Sequence, residues 1–352
     1  MHRQGRAALS PHARATRAAV VGIAGPELAA EEASLLRRLP PAGVILFARN
    51  CVDRPQLRRL TDALRATQPG GRHLPVLVDQ EGGRVARLKA PHWRRLPAAG
   101  VVGSLWRNEP DNARKAARLL GRLIAHDLAE VGVDIACAPV IDVAQPETTD
   151  AIGDRAFSAD PDAVAELAGA FAGGLAAGGV APVLKHLPGH GRARVDSHHA
   201  LPVVEAGRGE LAAVDLVPAR RLRHLPLAMT AHVLYRAIDP DLPGTLSPTV
   251  ISDLIRGEAG FAGILFSDDL AMRALCGTPG ELAAAAVAAG CDVALACTGD
   301  MGESEAVLSS VPPLPEDRLA FLDAAIPPAA GDRFDPEEAE AVLHELLRTP
   351  VA

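Results

Sequence analysis

The sequence predicts a single-domain (β/α)8 barrel, and three observations lead there. Eight short, β-rich apolar runs recur between residues 18 and 299, and helical segments with apolar residues at three-to-four spacing separate most of them. The runs are apolar almost throughout instead of alternating, as strands of a parallel sheet covered by helices must be. No GxGxxG follows the first run, which weighs against the competing open, doubly wound sheet, and eight units exceed the usual strand count of that fold.

Taken in order, the expected strands are "AAVVGIAG" (18–25), "GVILFA" (43–48), "LPVLVD" (74–79), "GVDIACAPVIDV" (132–143), "GVAPVLKH" (179–186), "LPLAMTAHV" (225–233), "GILFSD" (263–268) and "DVALACTG" (292–299). Between them, helices are expected over 29–39, 53–67, 112–132, 160–179 and 279–290, each with an apolar stripe. Residues 1–16 are basic and lack a convincing cleavage signal, so they read as a disordered arm. The catalytic barrel is expected over 17–300. The Pro-rich tail, 301–352, reads as helices packed outside the barrel, with Asp335 as an N-cap and Pro336 at the first helical position.

Composition narrows the function. Of 352 residues, 48% are hydrophobic but only 3% aromatic, so the core must be aliphatic. The net charge of -7 is spread without a basic stripe, which argues against nucleic-acid and anionic-membrane partners. No segment approaches the roughly 18 apolar residues needed to span a bilayer. The five cysteines lack CxxC spacing and mostly sit in apolar contexts, which reads as buried thiols in a reducing compartment, the cytoplasm by default. A monomer acting on a small ligand is expected.

In a barrel of this kind, active sites gather at the C-terminal ends of the strands. Those ends carry Asp79 with "QEGGR", Asp142, Lys185 with His186, Thr230 with His232, and Ser267 with Asp268 and Asp269. Successive strand residues face opposite ways, so one carboxylate of the Asp268–Asp269 pair should serve the site and the other the scaffold. The stretch "KHLPGHGRARVDSHHALP" (185–202) holds four histidines and is too rich in Gly, Pro and Arg to continue a strand or begin a helix. It reads as a long loop over the mouth, in which Asp196 and His198, two apart, allow a carboxylate to orient an imidazole as general acid and base. Substitution of Gly189 or Gly191 is expected to hold this loop open. Arg155, in the irregular "IGDRAFSADP", reads most simply as one half of a surface ion pair.

Two other chemistries stay open at this stage. His186, His190, His198, His199 and His232 with Asp268 could ligate a metal, as in amidohydrolase-type barrels, although the first strand lacks an HxH pair and HExxH is absent. A serine nucleophile has no GxSxG elbow to sit on.

Together and in this order, "GVILFARN", "DQEGGRVARL", "APVIDV", "IGDRAFSADP", "KHLPGHGRARVDSHHALP", "MTAHVLY", "TLSP" and "GFAGILFSDDLAM" resemble the bacterial β-N-acetylhexosaminidases of glycoside hydrolase family 3. The resemblance covers roughly residues 18–300. It implies a barrel that removes terminal β-linked N-acetylglucosamine with retention, during cytoplasmic recycling of peptidoglycan fragments, with no metal or organic cofactor. By the same resemblance, Asp268 corresponds to the nucleophile, His198 to the acid and base, and Asp196 to its dyad partner. Asp79, Arg87, Arg155, Lys185 and His186 correspond to sugar-binding positions. Leu187 and Arg192 depart from the family's usual "KHFPGHGDT", and the scarcity of aromatics puts stacking against the aglycone in doubt. Phosphorolysis, a β-glucosidase or xylosidase, and a sugar-binding barrel without turnover are the neighbouring readings.

Overall fold

A computed structural model describes residues 15–197 and 199–348. Most of the expected N-terminal arm therefore lies outside the described residues. Eight parallel strands close into a barrel: β1 (Arg17–Gly22), β2 (Pro41–Leu46), β3 (Val76–Val78), β4 (Ile135–Ala136), β5 (Ala181–Leu187), β6 (Leu227–Thr230), β7 (Ile264–Asp269) and β8 (Val293–Ala296). Closure comes from β8 returning to β1, with Ala19 opposite Ala294 and Val21 opposite Ala296. Every residue of β2 and β5 is buried, as expected for strands walled by side chains within and helices without.

The covering helices are α1 (Ala30–Arg38), α2 (Arg54–Arg65), α3 (Pro110–Glu130), α4 (Pro161–Ala177), α5 (Leu216–Leu222), α6 (Pro279–Ala289) and α7 (Met301–Ser310), with a further helical segment, Val250–Glu258, between β6 and β7. Their starts are written locally. Asp53, Asp160, Thr278 and Asp300 each accept a backbone N–H of the first turn, and Pro sits in that turn in α2, α4 and α6. Beyond the barrel come α8 (Glu316–Ala324) and α9 (Pro336–Arg348). Asp335 caps α9 by accepting from the amides of Glu337 and Glu338 at 2.9 and 3.2 Å. Among the described residues no helix is long and apolar enough to cross a membrane.

The fourth strand is far shorter than the run 132–143 suggests. Regular pairing covers only Ile135 and Ala136. Pro139 has no N–H to extend the ladder, so the chain leaves it there and rejoins β5 through a single bridge between Val140 and Lys185. All five cysteines are unpaired; Cys137, Cys291 and Cys297 are buried, but Cys51 is half-buried and Cys276 exposed.

Candidate active site

The C-terminal ends of the strands enclose a cavity of about 240 Å³, and Asp79, Arg87, Arg155, Lys185, His186, Asp196 and Asp268 all line it. Every described residue assigned to the site from sequence thus reaches one pocket. Pockets that enclose drug-sized ligands run to roughly 300–1,000 Å³; this one is smaller.

One wall is a chain of alternating charges. Arg87 donates to Asp79 at 3.0 Å, and Lys185 Nζ reaches Asp79 at 2.8 Å and Glu81 at 2.6 Å. Arg155 completes it with a two-pronged pair to Glu81, Nε at 2.8 Å and Nη2 at 2.9 Å. Burial works against the charges of Asp79, Glu81, Arg155 and Lys185, yet their partners prevail. Lys185 and Arg87 pull the Asp79 carboxyl well below the usual carboxylate range, and Lys185 and Arg155 lower that of Glu81. Asp79 and Glu81 in turn hold the Lys185 ammonium well above its ordinary range.

Arg155 is accordingly not the surface ion pair its sequence context suggested; its side chain is 13% exposed and that of Glu81 only 6%. Glu81 was not singled out in the sequence, although a signal existed. It lies two residues from Asp79, on the same side of an extended segment, and three cations facing Asp79 alone would leave a buried excess of positive charge. Glu81→Gln is expected to cost roughly 3–5 kcal/mol of stability by stranding Lys185 and Arg155, and to raise KM more than it lowers kcat. Urea unfolding and steady-state kinetics check both.

The opposite wall carries Asp268. Asp268 Oδ1 accepts the amide of Asp269 at 2.8 Å, while Oδ2 lies 4.0 Å from His186 Nε2. Burial opposes its charge, but His186 and His232, with the Asp269 amide and Lys185, leave the carboxyl below its ordinary value. Asp269 is spent on the scaffold: its Oδ1 accepts the amides of Ala271 and Cys297, each at 3.1 Å. Burial and the neighbouring Asp268 push its carboxyl up. His232 is committed too, with Nδ1 on Thr245 Oγ1 at 2.7 Å and Nε2 on the Asp269 carbonyl at 2.9 Å.

Residues 15–320 match the glycosyl hydrolase family 3 N-terminal domain. The chain belongs to this family. It is 45% identical over 284 residues to a β-hexosaminidase of Alkalilimnicola ehrlichii, covering 79% of this chain and 80% of that one. It is 41% identical to a β-hexosaminidase of Chromobacterium violaceum, over 86% of this chain and 84% of the relative. Among solved structures, NagZ from Neisseria gonorrhoeae in complex with N-trifluoroacetyl-D-glucosamine superposes with a TM-score of 0.86 at 32% identity, over 95% of this chain and 98% of that one. A family 3 β-N-acetylglucosaminidase from Paenibacillus gives 0.82 at 28% identity, over 96% of this chain and 68% of the other.

In this family 3 barrel the loop after β5 is rooted firmly. Tyr235 Oη donates to the Gly189 carbonyl at 2.8 Å, Thr148 Oγ1 to that of Gly191 at 2.6 Å, and Arg192 to buried Asp215 at 2.7 Å. Arg192, a departure from the family pattern, thus has its own counter-ion. A Cβ on Gly191 would lie 1.9 Å from the Val143 carbonyl oxygen, and Gly189 holds φ +149° with Asp215 packed against it. These glycines therefore serve close packing at the root, and substituting them would damage that root instead of testing closure. Nearer the tip, the Ser197 carbonyl accepts the amide of Ala274 at 3.1 Å, tying the loop to the segment after β7. His198 lies outside the described residues. His199 is 78% exposed with Nε2 3.9 Å from Asp196, in keeping with a loop residue.

Among the described residues, the grouping with metal-like spacing is His126, Asp127 and Glu130 on the outer helix α3, away from the pocket. Arg54 pairs with both of its carboxylates and Arg94 with Asp127.

Proposed function

We propose that this family 3 glycoside hydrolase is a retaining, exo-acting β-N-acetylglucosaminidase that removes terminal N-acetylglucosamine from peptidoglycan-derived fragments in cytoplasmic cell-wall recycling, acting as a monomer. The observation that carries this reading is Asp268, a carboxylate kept below its ordinary range at the end of β7 in a one-sugar pocket. The structural relationship to a NagZ that binds an N-acylated glucosamine supports the choice of sugar.

In the proposed double displacement, Asp268 attacks the anomeric carbon as His198, oriented by Asp196, protonates the departing oxygen. A covalent glycosyl-enzyme forms and the aglycone leaves. Water, deprotonated by the now neutral imidazole, then displaces Asp268 and restores the starting configuration. Lys185, Arg87 and Arg155 donate to sugar hydroxyls, Asp79 accepts from them, and His186 supplies a ring edge. Two carboxylates usually fill the two catalytic posts; here a histidine on a loop takes the second.

The test compares p-nitrophenyl N-acetyl-β-glucosaminide with the matching β-glucoside, in phosphate-free buffer containing chelator. Strong preference for the N-acetyl sugar is the expected result. Activity on neither substrate defeats the reading, and sugar 1-phosphate as the main product once phosphate is added would replace hydrolysis by phosphorolysis.

A further inference from the structure

Asp142 is fully buried beside the pocket, behind the sugar-facing side chains. Its Oδ2 lies 2.8 Å from His186 Nδ1, and its Oδ1 accepts the His190 amide at 2.7 Å and the His186 amide at 3.3 Å. Burial opposes its charge, yet His186 and His190 hold the carboxyl down at about 2. An ionised carboxylate only accepts, so the ring nitrogen facing it carries a proton. The second nitrogen of the same ring is the one that points at Asp268, 4.0 Å away.

His190 seals the arrangement. Its ring packs edge-on against His186 with centroids 5.7 Å apart, and burial pushes its imidazole down to about 4, so it stands neutral beside the pair. The His186 ring is therefore fixed by Asp142 at one end and by packing on its face, and the edge it offers Asp268 is not free to rotate.

We propose that Asp142 is a positioning residue for the nucleophile: it holds His186 through Nδ1, so that the Nε2 edge of the ring is kept facing Asp268. This rests on the reading of Asp268 as nucleophile. The other charged or titratable groups around the ring and Asp268 are Lys185, His190, His232, Asp269, Cys137 and Cys297, with Arg155, Asp215 and Tyr235 near Asp142. None of these hydrogen-bonds the His186 ring among the described residues, so the orienting function falls to Asp142.

Asp142→Asn keeps the shape but lets an amide present either an acceptor or a donor to Nδ1. The expected result is a fall in kcat/KM on the order of a hundredfold, the scale of a misplaced catalytic group, carried mainly by kcat. The fall should be equal for p-nitrophenyl and 2,4-dinitrophenyl substrates, because the defect lies with the nucleophile and not with proton donation. The acid limb of the pH profile should move to higher pH: Asp268 acts as a carboxylate that the nearby His186 ring holds down, and loosening that ring makes it accept a proton sooner. A purely structural role would leave that limb in place.

In wild-type enzyme, 15N NMR of the imidazoles, with His186 assigned by comparison with His186→Gln, is expected to show the His186 proton on Nδ1; this measurement decides the matter if Asp142→Asn fails to fold. Two failures remain distinct. Wild-type enzyme inactive on every N-acetyl-β-glucosaminide sinks the functional reading. Active wild-type enzyme paired with an Asp142→Asn variant of normal rate and unmoved acid limb, or a His186 ring protonated on Nε2 with Nδ1 bare, overturns the role of Asp142.

Discussion

Replacing Asp268 by alanine is expected to lower kcat/KM for an aryl N-acetyl-β-glucosaminide on the order of 10⁴-fold or more, with the fold intact. The carboxylate accepts a backbone hydrogen bond from Asp269, and its side chain is 16% exposed in the pocket wall. Truncation therefore strands little: the Asp269 amide loses its acceptor where water can replace it. Thermal unfolding should move only slightly while turnover collapses. The truncated side chain also leaves room for a small anion on the face of the sugar that Asp268 attacks. Azide placed there would attack the anomeric carbon, displace the aglycone with inversion and give an α-linked glycosyl azide. Wild-type turnover in the alanine variant, or azide rescue through a β-linked product from this variant, would remove Asp268 from the nucleophile's post.

The strong expected effect of Asp268 contrasts with its neighbour. Both carboxylates sit at the end of β7, yet two amides from separate loops converge on Asp269, while Asp268 faces the ring of His186. Sequence alone leaves open which of the pair serves the site, because alternation along a strand assigns faces only once the strand's orientation in the barrel is known. The same limit explains other gaps. Glu81 and Asp142 meet partners from nearby strand ends that are distant in sequence, Glu81 with Lys185 and Arg155 at separations of 104 and 74 residues and Asp142 with His186 at 44. Such pairings are set by strand order, which no local pattern records.

What is legible follows from continuous signals. Each strand is an apolar run bounded by Gly, Pro or polar residues, and the helix starts carry their caps in the sequence, Asp53, Asp160, Thr278 and Asp300 among them. The barrel therefore follows from periodicity, and the pocket from the rule that polar strand ends converge. The fourth strand looks too long in the sequence because hydrophobicity continues past Ala136 while regular pairing does not. Its irregular continuation carries Asp142, so the segment whose local pattern misleads is also the one that sets a buried carboxylate on His186 Nδ1.

Asp196→Asn is the second change with a large expected effect, and its signature differs from that of Asp268→Ala. Asp196 lines the pocket from the loop whose root is clamped by Tyr235, Thr148 and Asp215. An amide in its place can no longer hold the imidazole proposed as acid and base, that of His198, as a charged acceptor does. In chymotrypsin-like serine proteases, replacing the aspartate that orients the catalytic histidine by asparagine lowers kcat about 10⁴-fold; for this dyad a fall of about 10²–10⁴-fold in kcat is expected, with KM little altered because the sugar's donors and acceptors lie elsewhere. The loss should depend on the leaving group. Dinitrophenolate departs without a proton, so the first step should recover with the 2,4-dinitrophenyl glycoside, leaving deglycosylation slow and producing a burst of released phenolate. Asp268→Ala should show no such recovery and no burst. Steady-state and stopped-flow kinetics on the two substrates separate the roles, and an Asp196→Asn variant with an unchanged rate on both would dissolve the dyad.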